Sequence, residues 1–335
     1  MKKILLLTSL LLTNIVNAEE IITEKSLIRT EDQTYLTIPE WYLVHSPEEY
    51  SDYLNASKSP AHFPFTKHIG QFWDTYYQSY SITKDKYPFN MEYNIMVSTI
   101  GVSTTMEYTM KGLYEAFIGS ITEQLGSETQ EDKYSAQVAK DYVDFIKIDP
   151  WYKFDFMKSF KDLWTTTDLL GSNIVRKFER KYALSTEYLV KASYAYLIKK
   201  ATTASFDKPI PYSSVLIKGI DKNKNPDIIK ISNINGNDLL RLPRYGEFTN
   251  TIQKLAMENN DFIEICGNRT KINVAILPPI NFDTTTYPSK VFINQPIYTK
   301  PDIKRIVYEV DITQLAAMLR DLKQKNIKIE HIYDY

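Results

Sequence analysis

The chain has 335 residues and a formal net charge of −1, with 43% hydrophobic and 24% charged residues. That is the balance of a globular protein, and it provides no basic field to draw nucleic acid or an anionic membrane surface. Cys266 is the single cysteine, so an intramolecular disulfide is excluded and stability has to come from burial.

Met1-Lys2-Lys3, an apolar run from Ile4 to Val16, and Asn17-Ala18 before Glu19 have the layout of a secretory signal peptide cleaved after Ala18. The apolar core of about 13 residues is shorter than the roughly 20 needed to span a bilayer. A periplasmic or secreted protein without a spanning segment after cleavage is therefore expected. The alternative is an inner-membrane protein anchored by an uncleaved N-terminal segment. No cysteine follows the apolar core, so a lipoprotein is excluded.

Residues 19–37 alternate weakly and read as an extended lead-in, followed by a helical domain over 38–204. Ser46-Pro47-Glu48-Glu49 predicts a helix start, with Ser46 as N-cap and Glu49 closing a capping box. Ile69, Phe72, Trp73, Tyr76, Tyr77 and Tyr80 form an amphipathic stripe that predicts a second, core-facing helix from about Thr66. A long helix over 91–125 follows, with Ile95, Ile100, Met106, Met110, Leu113, Phe117 and Ile121 expected to be buried. Glu107, Lys111 and Glu115 are spaced to pair along its other side. Further helices are expected over 134–148, 150–164, 173–184 and 185–203, the last capped by Ser185. Arg176, Lys177, Arg180 and Lys181 read as a solvated face.

Alternating patterns begin after Ser205, and residues 205–335 read as an α+β domain. Strands are predicted near 215–220, 228–232, 262–266, 272–277, 291–298, 305–310 and 327–333, with helices near 247–259 and 314–325. The segments 262–266 and 272–277 are expected to form a hairpin across Gly267-Asn268. The fold class is thus α+β: an N-terminal helical domain, then a ferredoxin-like α+β sandwich with an inserted hairpin.

Chemistry-bearing residues concentrate between Ile38 and Tyr80. His45, His62 and His68 are candidate metal ligands with Glu40 or Glu49, but no H-x-x-x-H or H-E-x-x-H spacing joins them, so no metal and no cofactor is expected. Glu40 beside Trp41-Tyr42, and His62 in a loop between Pro60 and Pro64, are the candidate catalytic residues. Trp41, Tyr42, His45 and His68 are the candidate ligand-binding residues. There is no G-x-S-x-G or S-x-x-K motif, and ten glycines in the whole chain leave little room for a phosphate loop.

The segments EWYLVHSPEEY, FPFTKHIGQFW, DYVDFIKIDPWYKFDF and RKYALSTEYLVKASYAYLI together resemble a family of exported or membrane-anchored Gram-negative bacterial proteins. The resemblance implies a shared fold and carries no assigned activity. The expected function is a non-enzymatic envelope protein that binds a ligand or protein partner, with a site in a cleft between its two parts. The alternative is a periplasmic hydrolase using Glu40 with a histidine from the 45–68 region.

Overall fold

The computed structural model describes residues 28, 31–126, 128–205, 211–220, 225 and 228–333. The expected signal peptide and residues 19–27 of the lead-in lie outside the described residues.

Helix α1 (Glu31–Asn55) takes in the end of the expected lead-in and runs through both Pro39 and Pro47. Ser46 therefore caps nothing. A proline in a helix interior costs about 3 kcal/mol locally, and tertiary packing offsets it here. From Thr34 to Ser51 nearly every residue of α1 is buried, Leu36, Ile38, Tyr42, Ser46 and Glu49 among them. Helix α2 (Phe65–Thr83) starts where predicted, but its buried side is Phe65, His68, Gln71, Phe72, Thr75, Ser79 and Thr83. Of the predicted stripe, Phe72 is fully buried and Ile69 half-buried, and its later residues turn out of the core. Trp73 and Tyr76 reach sideways to Thr105 and Asn94, and Tyr77 and Tyr80 are exposed.

Helix α3 (Met91–Tyr114) continues through a π-helical turn, Glu115–Gly119, into α4 (Ser120–Gln124). Helix α5 (Gln130–Ile146) opens on a capping box between Thr129 and Asp132, and α6 (Phe156–Thr166) on an Asp155 cap. The two helices expected over 173–203 are one, α7 (Ile174–Ser205), and Ser185 accepts a hydrogen bond from Trp164 Nε1 mid-helix at 2.9 Å.

The α+β part contains two units of the same design. In the first, β1 (Tyr212–Ile217), β2 (Ile229–Ile234), β3 (Asn237–Pro243), α8 (Gly246–Met257) and β4 (Phe262–Ile265) form a sheet ordered β2-β3-β1-β4. In the second, β5 (Lys271–Leu277), β6 (Lys290–Pro296), β7 (Lys304–Asp311), α9 (Ile312–Gln324) and β8 (Lys328–Ile332) form a sheet ordered β6-β7-β5-β8. Each is a β-β-β-α-β run with the same neighbours, and every pairing is antiparallel. Residues of both sheets, α8 and α9 close one shared core that includes Val215, Leu240, Phe248, Val274, Tyr308 and Leu319.

This arrangement replaces the single ferredoxin-like sheet that the order of elements suggested. The expected 262–266/272–277 hairpin is not formed: β4 pairs with β1, whereas β5 pairs with β7 and β8. Cys266 (φ 51) and Gly267 (φ 80) turn the chain from one sheet to the other, and the Cys266 amide donates to Ser214 O. Strand β3 escaped the sequence reading although Asn235 (φ 52) and Gly236 (φ 83) form the tight Asn-Gly turn that announces a hairpin.

Helix α1 joins the two parts. Tyr35, Ile38, Trp41 and Val44 pack on Ala275, Phe292, Ile293, Val307 and Tyr333 of the second sheet.

Candidate functional site

The seam between α1, α2 and the second sheet gathers most of the residues that the sequence marks for chemistry. Arg305 on β7 lies at its centre and is 4% exposed. Its Nη2 donates to Glu49 Oε1 at 2.9 Å and to Glu330 Oε1 at 2.7 Å, and its Nε donates to Glu330 Oε2 at 2.5 Å. Two buried carboxylates on one guanidinium is a forked, charge-assisted arrangement. Burial works against the Arg305 charge, but Glu330 and Glu49 outweigh it and hold the guanidinium ionised. Burial raises the Glu49 carboxyl, with Arg305 opposing.

Two of the three N-terminal histidines converge on this centre. His68 Nε2 is 3.5 Å from Glu49, and His45 Nδ1 is 3.6 Å from Glu330. Burial, then Arg305, lowers His68 to about 3 and His45 well below its ordinary range. A third neutral ring, His331 on β8, lies 3.5 Å from Trp41 between centroids, lowered by burial and then by His45. Tyr42 donates to Gln71, whose amide donates to Pro296 O on β6 at 2.7 Å. Trp41, Tyr42, His45 and His68 are thus brought together, as packing across a filled seam.

Ser46 completes a serine–histidine–glutamate constellation that no spacing in the sequence announces. Its Oγ is 2.8 Å from His68 Nδ1 and 2.8 Å from the Tyr108 hydroxyl. The geometry encloses it, because His68 is 0% and Ser46 1% exposed, and the Phe63 ring lies 4.6 Å from that of His68. Sealed in this way, the hydroxyl is closed to a substrate carbonyl in this structure. A hollow of about 30 Å³ beside Tyr35, Asn273 and Glu309 is water-sized.

Glu40 and His62 lie elsewhere. Glu40 accepts a short hydrogen bond from Tyr93. Burial, then the Glu40 charge, raises that tyrosine well above its ordinary value, so the proton stays on the phenol. His62 is solvent-facing, 3.5 Å from Glu123. Among the described residues, no cluster of three His, Cys, Asp or Glu side chains could hold a metal ion.

The second unusual region is the antiparallel pair α3–α7, where the charged residues face inward. From one end to the other, Ser103 meets Tyr194, Glu107 meets Lys191, Lys111 meets Glu187, Tyr114 meets Glu179, and Glu115 meets Arg180. Arg176 reaches Gly119 O, Thr122 and Asp132, and Lys181 lies 3.2 Å from Glu131. The four basic residues expected on a solvated face are all buried: Arg176, Arg180 and Lys181 meet Asp132, Glu115 and Glu131, and Lys177 donates to Leu170 O. The Glu187 carboxyl, although buried, is held far below its usual range by Lys111 and Lys191. Gly119 in the π-turn is required here: a Cβ would collide with the Glu115 carboxylate that Arg180 grips.

Many apolar residues of the same helices point outward. On α3 and α4, Ile95, Val102, Met106, Met110, Leu113, Phe117 and Ile121 are exposed, Met110 to 71% and Phe117 to 67%. Only Ile100 of the stripe expected to be buried is partly covered. On α7 the exposed residues include Val175, Phe178, Tyr182, Leu189, Val190, Tyr196 and Leu197. Between Ile95 and Ile121, Glu107 is the one exposed charge, and between Ile174 and Leu197 no exposed residue is charged. By contrast, α5 shows solvent Gln130, Lys133, Gln137, Lys140, Asp141 and Asp144. Among the described residues, no helix is long and apolar enough to cross a membrane.

No protein-family model, curated protein or solved structure matches the chain, so the resemblance noted in its sequence brings no activity with it and function rests on these two regions.

Proposed function

We propose that the chain is a non-enzymatic binding protein of the cell envelope, and that its working surface is the outer face of α3 and α7. One observation carries the reading: along about 35 Å of α7, from Ile174 to Leu197 at 1.5 Å per residue, the exposed side is free of charge, while Arg176, Glu179, Arg180, Lys181, Glu187 and Lys191 are paired behind it. A water-facing helix has the opposite pattern, as α5 does. The seam between the two parts is filled by side chains, which moves the expected contact from a cleft to this face. Support for a hydrolase built on Glu40 is weaker, because Glu40 is tied to Tyr93 while His45 and His68 face Glu330 and Glu49.

The envelope setting rests on the residues before Ala18. In native extracts of the envelope fraction, the chain is expected to migrate well above its 39.0 kDa mass. Val102→Glu combined with Val190→Glu, both at exposed positions, is expected to return it to monomer size without lowering its thermal midpoint. Monomer migration of the unaltered chain, or its recovery in the cytoplasm, would overturn the reading.

A further inference from the structure

We infer that the partner on the α3–α7 face is a second copy of this chain, docked by the same face about a twofold axis. The inference rests on that face being a contact surface. Three observations select the occupant.

The first is area. Summed over α3, the π-turn, α4 and α7, the exposed apolar residues present roughly 2,000 Å². Covering half to two thirds of it on each copy would bury roughly 2,000–2,700 Å² in total, the size of an obligate homodimer interface.

The second is charge. In a twofold contact a patch meets itself, so any unpaired charge near the axis would face its own kind. This face has removed that conflict. Its one exposed charge, Glu107, is already held 2.8 Å from Lys191, and nothing else on it would steer a partner of opposite sign.

The third is composition. Met96, Met106 and Met110, three of the eight methionines in the chain, lie exposed on this stretch of α3. Phe117, Phe178, Tyr182 and Tyr196 accompany them. Methionine and aromatic enrichment with charge depletion is the signature of the core of a protein–protein contact. A helix lying on a lipid surface instead carries a Lys/Arg-rich flank. Here Arg176, Arg180, Lys181 and Lys191 of α7 are held in ion pairs and Lys177 is buried, and the exposed Lys199 and Lys200 stand only after Leu197, in the last turns of the helix.

Sedimentation equilibrium of the purified full-length chain tests this. The expected result is a species of twice 39.0 kDa at micromolar concentration. Phe178→Asp should weaken the dimer at least a hundredfold, as loss of a central aromatic contact does. Gln137→Asp on α5 should leave it unchanged. Circular dichroism establishes that each variant is folded, and Met110→Glu on α3 replaces Phe178→Asp if the latter is not. A monomer at every concentration would overturn the inference, as would a dimer indifferent to Phe178→Asp or, where it replaces that variant, to Met110→Glu. A monomer that cosediments with phosphatidylcholine–phosphatidylglycerol vesicles would overturn it in favour of lipid. A purified monomer that still migrates in a larger complex in envelope extracts would overturn the second copy and leave the contact-surface reading standing.

Discussion

Replacing Arg305 by methionine is expected to cost about 3–5 kcal/mol at neutral pH, because it leaves Glu49 and Glu330 buried without their cation. For a chain of this size that lowers the thermal midpoint by roughly 10 °C. The loss comes from the orphaned carboxylates and only partly from the vanished attraction. Adding Glu49→Gln and Glu330→Gln to Arg305→Met should therefore recover much of it. Thermal unfolding followed by circular dichroism distinguishes the cases. A triple variant no better than Arg305→Met would show that the guanidinium matters by its shape and not by its charge.

Acid should unfold the protein early. His45, His68 and His331 are buried uncharged, with His68 lowered to about 3 and the other two well below their ordinary value. In the unfolded chain each regains a value near 6.5. Between the two values the unfolded state binds more protons, so stability rises with pH there and is lost as pH falls below about 6.5. Each histidine contributes about 1.4 kcal/mol per pH unit in that window, so three contribute roughly 4 kcal/mol per unit. Glu49 acts in the opposite sense, since its raised carboxyl favours the folded state as pH falls through its folded value. It is one group against three. The urea midpoint is expected to fall steeply between pH 6.5 and 5, and His68→Gln should remove about a third of the slope. A midpoint that stays level over that range would contradict neutral burial of these rings.

Helical periodicity made much of the first part legible, and its orientation was the part that misled. The stripe from Ile95 to Ile121 has the right spacing for one face of a helix, and spacing alone does not say whether that face meets protein or the exterior. The missing signal was in the charges. Glu107, Lys111 and Glu115 find their complements in Lys191, Glu187 and Arg180, which run in reverse order along α7. Two helices with mirrored charge sequences can be aligned from sequence, and that alignment turns the apolar stripe outward. The continuation of α1 through Pro39 and Pro47 was not readable in the same way, because the local signals favour a break and only burial on several sides overrides them.

Convergence of the histidines belongs to the same class of hidden facts. His45 and His68 come to one centre because Arg305 and Glu330, some 260 residues further along the chain, arrive from β7 and β8, Glu330 facing His45 and Arg305 gripping the Glu49 that faces His68. Local reading of His45, beside the expected Ser46 cap, could not anticipate partners on another sheet. The Asn235-Gly236 turn, by contrast, was readable, and it places β3 beside β2 in the first sheet.

Methionine oxidation tests the central claim, that the outer face of α3–α7 is covered in the working state of the protein. Met106 and Met110 are 65% and 71% exposed, and Met157 on α6 is 40% exposed. On exposure alone the first two should form sulfoxide faster when peroxide is added. In intact envelopes the account predicts the reverse order, with Met106 and Met110 protected and Met157 oxidised at its ordinary rate. Equal or faster oxidation of Met106 and Met110 in that setting would mean the face is bare, and would contradict the account.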